Sequence, residues 1–277
     1  MNLFVKLAGD LPTMQKAFFR NAVASCVALA LLLRKPEQFK TVKGNWINLI
    51  IRALAGTIGV VLNFYAIDKM GIADASMLNK LSPFFAIVFS FIILREKPSV
   101  WEWIAVIVAI VGSVFVVRPT LTAEVIPALC GLLGGIMAGL AYTFVRKATS
   151  NGASRNLVIF FFSAFSTIVL LPFMLVSYKP MEWWQLLYLL LAGGGAAGGQ
   201  IFITLAYSRA PAKEISVFDY SIVIFTALLG FFVLGEIPEP LSYVGYAIIV
   251  LGAVLIWLYH LRRDKKEIKQ KDKNLEK

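Results

Sequence analysis

The sequence predicts an all-α polytopic membrane protein: a ten-helix, inverted-repeat (5+5) bundle in which the first helix is largely missing. Three observations carry this. Hydrophobic residues fill 59% of the 277 positions and charged residues 16%, against roughly 45–50% and about 25% in soluble domains. The apolar residues fall in runs long enough to cross a bilayer core, which takes about 20 residues per helix. The chain also resembles itself at a spacing of 140 positions.

Nine spans follow from the runs between polar or Pro/Gly breaks: 17–34, 46–67, 71–94, 100–117, 124–147, 155–178, 183–208, 212–234 and 240–261. The connections are short, and a helix satisfies its own backbone where no water is present. The lipid bilayer is therefore the first expected partner. The opening residues lack the apolar stretch and cleavage site of a secretory signal.

A shift of 140 aligns 59–114 with 199–254 without a gap, and ten of the 56 pairs are identical. Apolar bias alone yields some identities, so the better sign is Leu94-x-Glu96-x-Pro98 against Leu234-x-Glu236-x-Pro238. The same shift lays Met1–Lys6 on Ala141–Arg146. About 16 further residues are accordingly expected before Met1, enough to complete a first span. The expected units are 1–117 (four helices and a remnant), 124–261 (five helices) and a Lys-rich tail, 262–277. An odd number of spans per unit puts the two in opposite orientations, with a substrate site between them near the midplane.

Charge tests the topology. The net charge of +11 is spread rather than patched, which excludes nucleic acid as a partner. With the C-terminus cytoplasmic, the inner segments carry Arg34, Lys35, Lys40, Lys43, Arg95, Lys97, Arg146, Lys147, Arg155, Arg209, Lys213 and eight tail charges. The outer segments carry Lys6, Lys16, Arg20, Lys69, Arg118 and Lys179. Positive-inside bias then favours the cell (inner) membrane with the tail in the cytoplasm.

The motifs Phe64-Tyr65-Ala66-Ile67, Ser82-Pro83-Phe84-Phe85 and Leu94-Arg95-Glu96, with Lys6, Phe18-Phe19-Arg20 and the segment from Arg52 to Gly56, resemble the EamA type of the drug/metabolite transporter superfamily. The resemblance covers the chain apart from its tail. It implies a secondary carrier of amino acids, S-adenosylmethionine-like compounds or carboxylates, working by alternating access. A lipid or lipid-linked sugar flippase is the alternative it allows. With no ATP-binding element in the sequence, coupling to a proton or a counter-substrate, or simple facilitated flow, is expected, in a monomer or homodimer.

An ionisable side chain inside a membrane costs roughly 2.5–3.5 kcal/mol on insertion scales, so each one is a functional candidate. Lys80 lies mid-span in 71–94, and Asp219 lies in 212–234 opposite Asn79 under the shift. The expectation is that Lys80 and Asp219 face each other across a central cavity, holding substrate charges or clamping the two helices as an ion pair. Arg52 sits about 9 Å from the end of its span at 1.5 Å per residue. It is expected to snorkel to the headgroups, with the cavity as its other fate. Asn63 and Tyr65, Gln200, Thr204 and Tyr207 at i, i+4, i+7 spacing, and Tyr142 add polar groups that line a cavity or bond between helices.

The glycines at 193–195, 198 and 199 are read as close-packing positions, or else as a flexible segment. Pro83 and Pro172 are candidate kinks. Glu96 and Glu236 end spans ahead of prolines and read as helix-capping carboxylates rather than a catalytic pair. The chain has one His, no metal-ligand spacing, no nucleophile elbow and no phosphate-binding loop. No cofactor or metal is expected, and an intramembrane enzyme is disfavoured. Cys26 and Cys130 lie in apolar spans and form no disulfide framework.

Overall fold

The computed structural model describes residues 1–39, 44–117, 125–209 and 221–275. Among them there is no strand; every regular element is helical. A short α1 (Asn2–Leu7) leads into α2 (Thr13–Leu33), α3 (Trp46–Lys69), α4 (Ile72–Asn79) and α5 (Ser82–Phe89). These are followed by α6 (Val100–Val117), α7 (Val125–Ser150), α8 (Arg155–Val176), α9 (Trp183–Arg209), α10 (Ser221–Leu229) and α11 (Pro240–Leu275). Eight stretches are long and apolar enough to span a membrane, taking Ile72–Leu94 as one, and Ile224–Leu234 is a shorter apolar helix.

Lipid explains the outer surface. Val176, Trp183, Phe202 and Phe232 are each more than 70% exposed, an arrangement that water would not tolerate over so wide an area. Trp46, Trp101 and Trp183 open or nearly open their helices and are exposed, the positions at which indoles sit among lipid headgroups. The last helix runs past its apolar stretch to Leu275. The Lys-rich segment from 262 thus continues the helix, because its Lys, Glu and Gln residues are strong helix formers uninterrupted by Gly or Pro.

Where one span was expected over 71–94, two half-helices meet at Lys80–Leu81. Pro83 supplies the local reason: it has no N–H for the carbonyl of Asn79 four residues back, and it is well placed in the first turn of α5. Freed carbonyls in lipid are costly, so a break survives only where protein covers it. The cover is α7. Gly131, Gly135 and Gly139 form a stripe on one face, and a Cβ on Gly135 would lie 2.5 Å from the Leu78 carbonyl oxygen. One on Gly139 would lie 2.7 Å from that of Ser82. Thr143, a turn further on, donates to the Ala86 carbonyl at 3.3 Å. On another face of α7, Gly134 crosses Gly59 of α3 backbone to backbone.

Two of the helices run into a wide π turn, Ser90–Leu94 after α5 and Gly230–Leu234 after α10. Both turns close through a left-handed residue, Arg95 at φ 56° and Gly235 at φ 66°. In each, the following glutamate N–H bonds back six residues, Glu96 to Ser90 and Glu236 to Gly230. The two devices lie 140 residues apart. Pro172 stays inside α8 without ending it, and α9 runs unbroken through its glycines. Of these, Gly193 is the packing position, since its Cβ would strike Val23 at 2.5 Å, whereas Gly194, Gly198 and Gly199 meet nothing within 4 Å.

Gly135→Ala should therefore lower stability by about 1–3 kcal/mol, the usual cost of overpacking against groups that cannot yield, whereas Gly198→Ala should stay within about 0.5 kcal/mol. Thermal unfolding of the two purified variants in detergent checks this contrast.

Candidate functional site

The break in α4–α5 opens onto a cavity of about 450 Å³. Its wall takes Asn63 from α3, Ser76, Asn79 and Lys80 from the end of α4, and Tyr142 from α7. Gly199 and Gln200 come from α9, and Phe225 and Thr226 from α10. Arg20 of α2 reaches it as well. A side chamber of about 100 Å³ adds Arg52, Gly56 and Phe162 and shares Arg20, Asn63, Asn79, Tyr142 and Gln200 with the larger space. The helix faces meet here because α9 presents glycines rather than side chains at 195 and 199, leaving room where an ordinary residue would fill it.

The two arginines dominate the chemistry. Arg52 does not snorkel. It is 2% exposed, its guanidinium carbon sits 4.2 Å from the centre of the Phe162 ring, and Nη2 donates to Gln200 Oε1 at 3.1 Å. Gly56, one turn on, makes this possible: a Cβ there would collide with Arg52 Nη1. Arg20 approaches the same ring at 5.6 Å and donates to Asn21 Oδ1 at 2.5 Å. Neither guanidinium meets a carboxylate among the described residues. A cation–π contact gives about 0.5–2 kcal/mol, short of the several kcal/mol that burying each ion costs. The chamber is electropositive.

Other buried cations are neutralised. Lys16, 2% exposed, pairs with Asp68 at 2.5 Å, and Thr13 donates to the other oxygen of Asp68 at 3.1 Å. Lys16 and Arg20 were counted with the outer loop charges; both are instead buried in the bundle, because α2 begins at Thr13, directly after Pro12. That start places Arg20 about 10 Å into the helix. Its omission from the candidate site came from reading the span as starting at 17, and Pro12 was the available signal.

The structure brings Asn63, Asn79, Lys80, Tyr142, Gln200 and Arg52 around one space. Tyr65 does not line it: two residues past Asn63 is roughly 200° around a helix. Thr204 and Tyr207 share the face of Gln200 but lie further along α9, buried beyond the cavity. There Tyr207 stacks on Tyr142 with ring centres 4.5 Å apart. Asp219 lies outside the described residues.

The two glutamates bridge elements rather than cap their own following helices. Glu236 accepts from the Ile72 N–H at 2.8 Å, at the start of α4, and pairs with Lys6 Nζ at 3.3 Å. Glu96 pairs with Arg146 at 2.7 Å. One pair thus sits at the Ile72 end of the α4–α5 stretch and the other just beyond its Leu94 end, about 35 Å along a path of 23 helical residues.

A polytopic bundle with a broken helix at a polar central cavity is the architecture of a membrane transporter. The chain belongs to the EamA-like transporter family, matching it over residues 2–118 and 125–258. It is 31% identical to the pseudopaline exporter CntI of Pseudomonas aeruginosa over 260 residues, 92% of this chain and 90% of that one. It is 26% identical to a riboflavin transporter of Vibrio cholerae (95% and 89% covered). Human solute carrier family 35 member G1 is 28% identical (86% and 69% covered). A solved crystal structure shares the fold with TM-score 0.69 at 16% identity, covering 93% of this chain and 94% of the other.

Removing the partner of a buried charge costs about 3–5 kcal/mol. Asp68→Asn should therefore destabilise the protein by an amount in this range, and Asp68→Asn combined with Lys16→Met should recover most of the loss. Melting of the single and double variants measures it.

Proposed function

We propose that this protein is a secondary transporter that moves a small organic metabolite (an amino acid, an S-adenosylmethionine-like compound or a carboxylate) across the cell inner membrane by alternating access. The observation that carries the reading is the polar cavity at the α4–α5 break, walled by α3, α4, α7, α9 and α10 together. Asn63, Asn79, Lys80, Tyr142 and Gln200 form its binding wall. Relatives named as exporters or transporters of soluble metabolites favour such a cargo over a lipid.

Residues 1–117 and 124–261 act as two repeats of opposite orientation. Support comes from the paired π turns and from the ion pairs, since Lys6 and Arg146, like Glu96 and Glu236, are 140 positions apart. Each pair joins the cation of one repeat to the carboxylate of the other. Their side chains are 23–38% exposed, and such pairs contribute about 0–1 kcal/mol. That is enough to bias an equilibrium and too little to lock it. Arg146–Glu96 closes the cytoplasmic end and Lys6–Glu236 the opposite end, in keeping with the positive-inside charge pattern and a cytoplasmic C-terminus.

Reconstituted protein should exchange a labelled member of these solute classes across proteoliposomes; movement of lipid probes without any solute exchange would overturn the reading. In an Asn79→Cys variant lacking Cys26 and Cys130, Glu96→Gln should raise cavity labelling by an impermeant thiol reagent from the cytoplasmic side. Glu236→Gln should raise it from the other side. The swap Glu96→Arg with Arg146→Glu should restore the original pattern; equal shifts on both sides would contradict the alternating arrangement.

A further inference from the structure

We propose that Arg20 and Arg52 form an oxyanion clamp beside Phe162, so that the transported solute enters this site through a carboxylate or phosphate group. The inference rests on the transporter reading and narrows its cargo to organic anions. Four observations support it.

First, the charges lack partners. Each guanidinium carries five N–H donors, and one hydrogen bond is formed from each, to Asn21 and to Gln200. The Nε of both is buried without a partner. Second, the deficit is local. Of the three fully buried cations, Lys16, Arg20 and Arg52, only Lys16 meets a carboxylate, as half-buried Lys6 and Arg146 also do; Arg20 and Arg52 do not.

Third, the two are held together in spite of like charge. Both lie against one ring, Phe162, which is 1% exposed. Gly56 leaves the space into which Arg52 folds. An arrangement that is unfavourable when empty becomes favourable when an anion enters, because planar guanidinium forks match the two oxygens of a carboxylate or phosphate.

Fourth, the clamp has access and room. The side chamber of about 100 Å³ suits a single oxyanion group and opens through shared walls into the larger cavity of about 450 Å³, where the remainder of a solute fits. Asn63, 6% exposed and with Oδ1 unpartnered, stands at the junction as an acceptor for a hydroxyl or amino group on the same molecule.

The test is thermal unfolding of the purified full chain in detergent. Acetate, succinate, citrate, inorganic phosphate and glycerol 3-phosphate are compared with chloride at equal ionic strength. Wild type should be stabilised by polyvalent oxyanions. Arg20→Gln and Arg52→Gln should weaken the apparent affinity at least tenfold, and Arg52→Lys should retain part of it. Without anion the Gln variants should melt at or above the wild-type temperature, since an uncompensated buried charge has been removed. Stronger stabilisation by phosphates than by carboxylates upholds the clamp and assigns phosphorylated cargo; the reverse upholds it and assigns carboxylates.

No oxyanion-specific stabilisation of wild type, or the same stabilisation in the Gln variants, overturns the clamp. So does a large loss of anion-free stability in both variants with anion affinity intact, which makes the arginines structural. Transport of a neutral or cationic solute at equal rates by wild type and the Gln variants removes the clamp and leaves the transporter reading standing. Absence of any solute exchange removes the transporter reading itself.

Discussion

Lipid offers no hydrogen bonds to a polypeptide, and the architecture of this protein follows from how it meets that constraint at one place. The span from Ile72 to Leu94 is interrupted at Lys80–Leu81, where Pro83 withholds the N–H that Asn79 needs. A gap of that kind is stable only if another backbone shields it. The glycine stripe of α7 lets that helix approach the break to a distance that a methyl group would forbid. The same helix presses Gly134 against Gly59 of α3. With α3, α4, α5 and α7 drawn together on one side and glycine positions of α9 on the other, a polar space remains in the middle.

That space carries charge because the bundle distributes its counter-ions unevenly. Lys16 has Asp68, Lys6 has Glu236 and Arg146 has Glu96, while Arg20 and Arg52 share an aromatic ring. Pairing a buried ion within the protein favours one rigid arrangement, whereas leaving it unpaired keeps electrostatic free energy in reserve for a ligand. The partly exposed pairs at the two ends belong to a third category. They are weak enough to exchange, as the proposed alternating-access reading requires of groups that separate and rejoin.

Much of the architecture was legible in the sequence. Membrane class and the approximate bounds of eight of the nine expected spans follow from the length of apolar runs, because the thickness of a bilayer core leaves little freedom. The spacing of 140 was visible through Leu94-x-Glu96-x-Pro98 and its counterpart, and the π turns fall on the same spacing. Asn63, Asn79, Lys80, Tyr142 and Gln200 stand out in the sequence as polar residues within apolar runs, and they surround one cavity. Arg20 does not stand out in this way, since its place in the helix depends on where α2 begins. Tyr65, Thr204 and Tyr207 share the residue type or helical spacing of the cavity residues, neither of which tells where along a helix a cavity ends.

The sequence by itself determined the solvent, the helices and the 140-residue spacing of similar segments, since each rests on local composition or on spacing along the chain. Tertiary structure decided which buried charges are paired. Lys16 finds Asp68 52 residues away and Arg52 finds Gln200 148 residues away, while the separation between Glu236 and the start of α4 is 164. Those partnerships depend on which helix faces pack together. In a chain whose helices are apolar nearly all round, hydrophobic periodicity is a weak guide to facing; it is decided by where glycines permit backbones to touch.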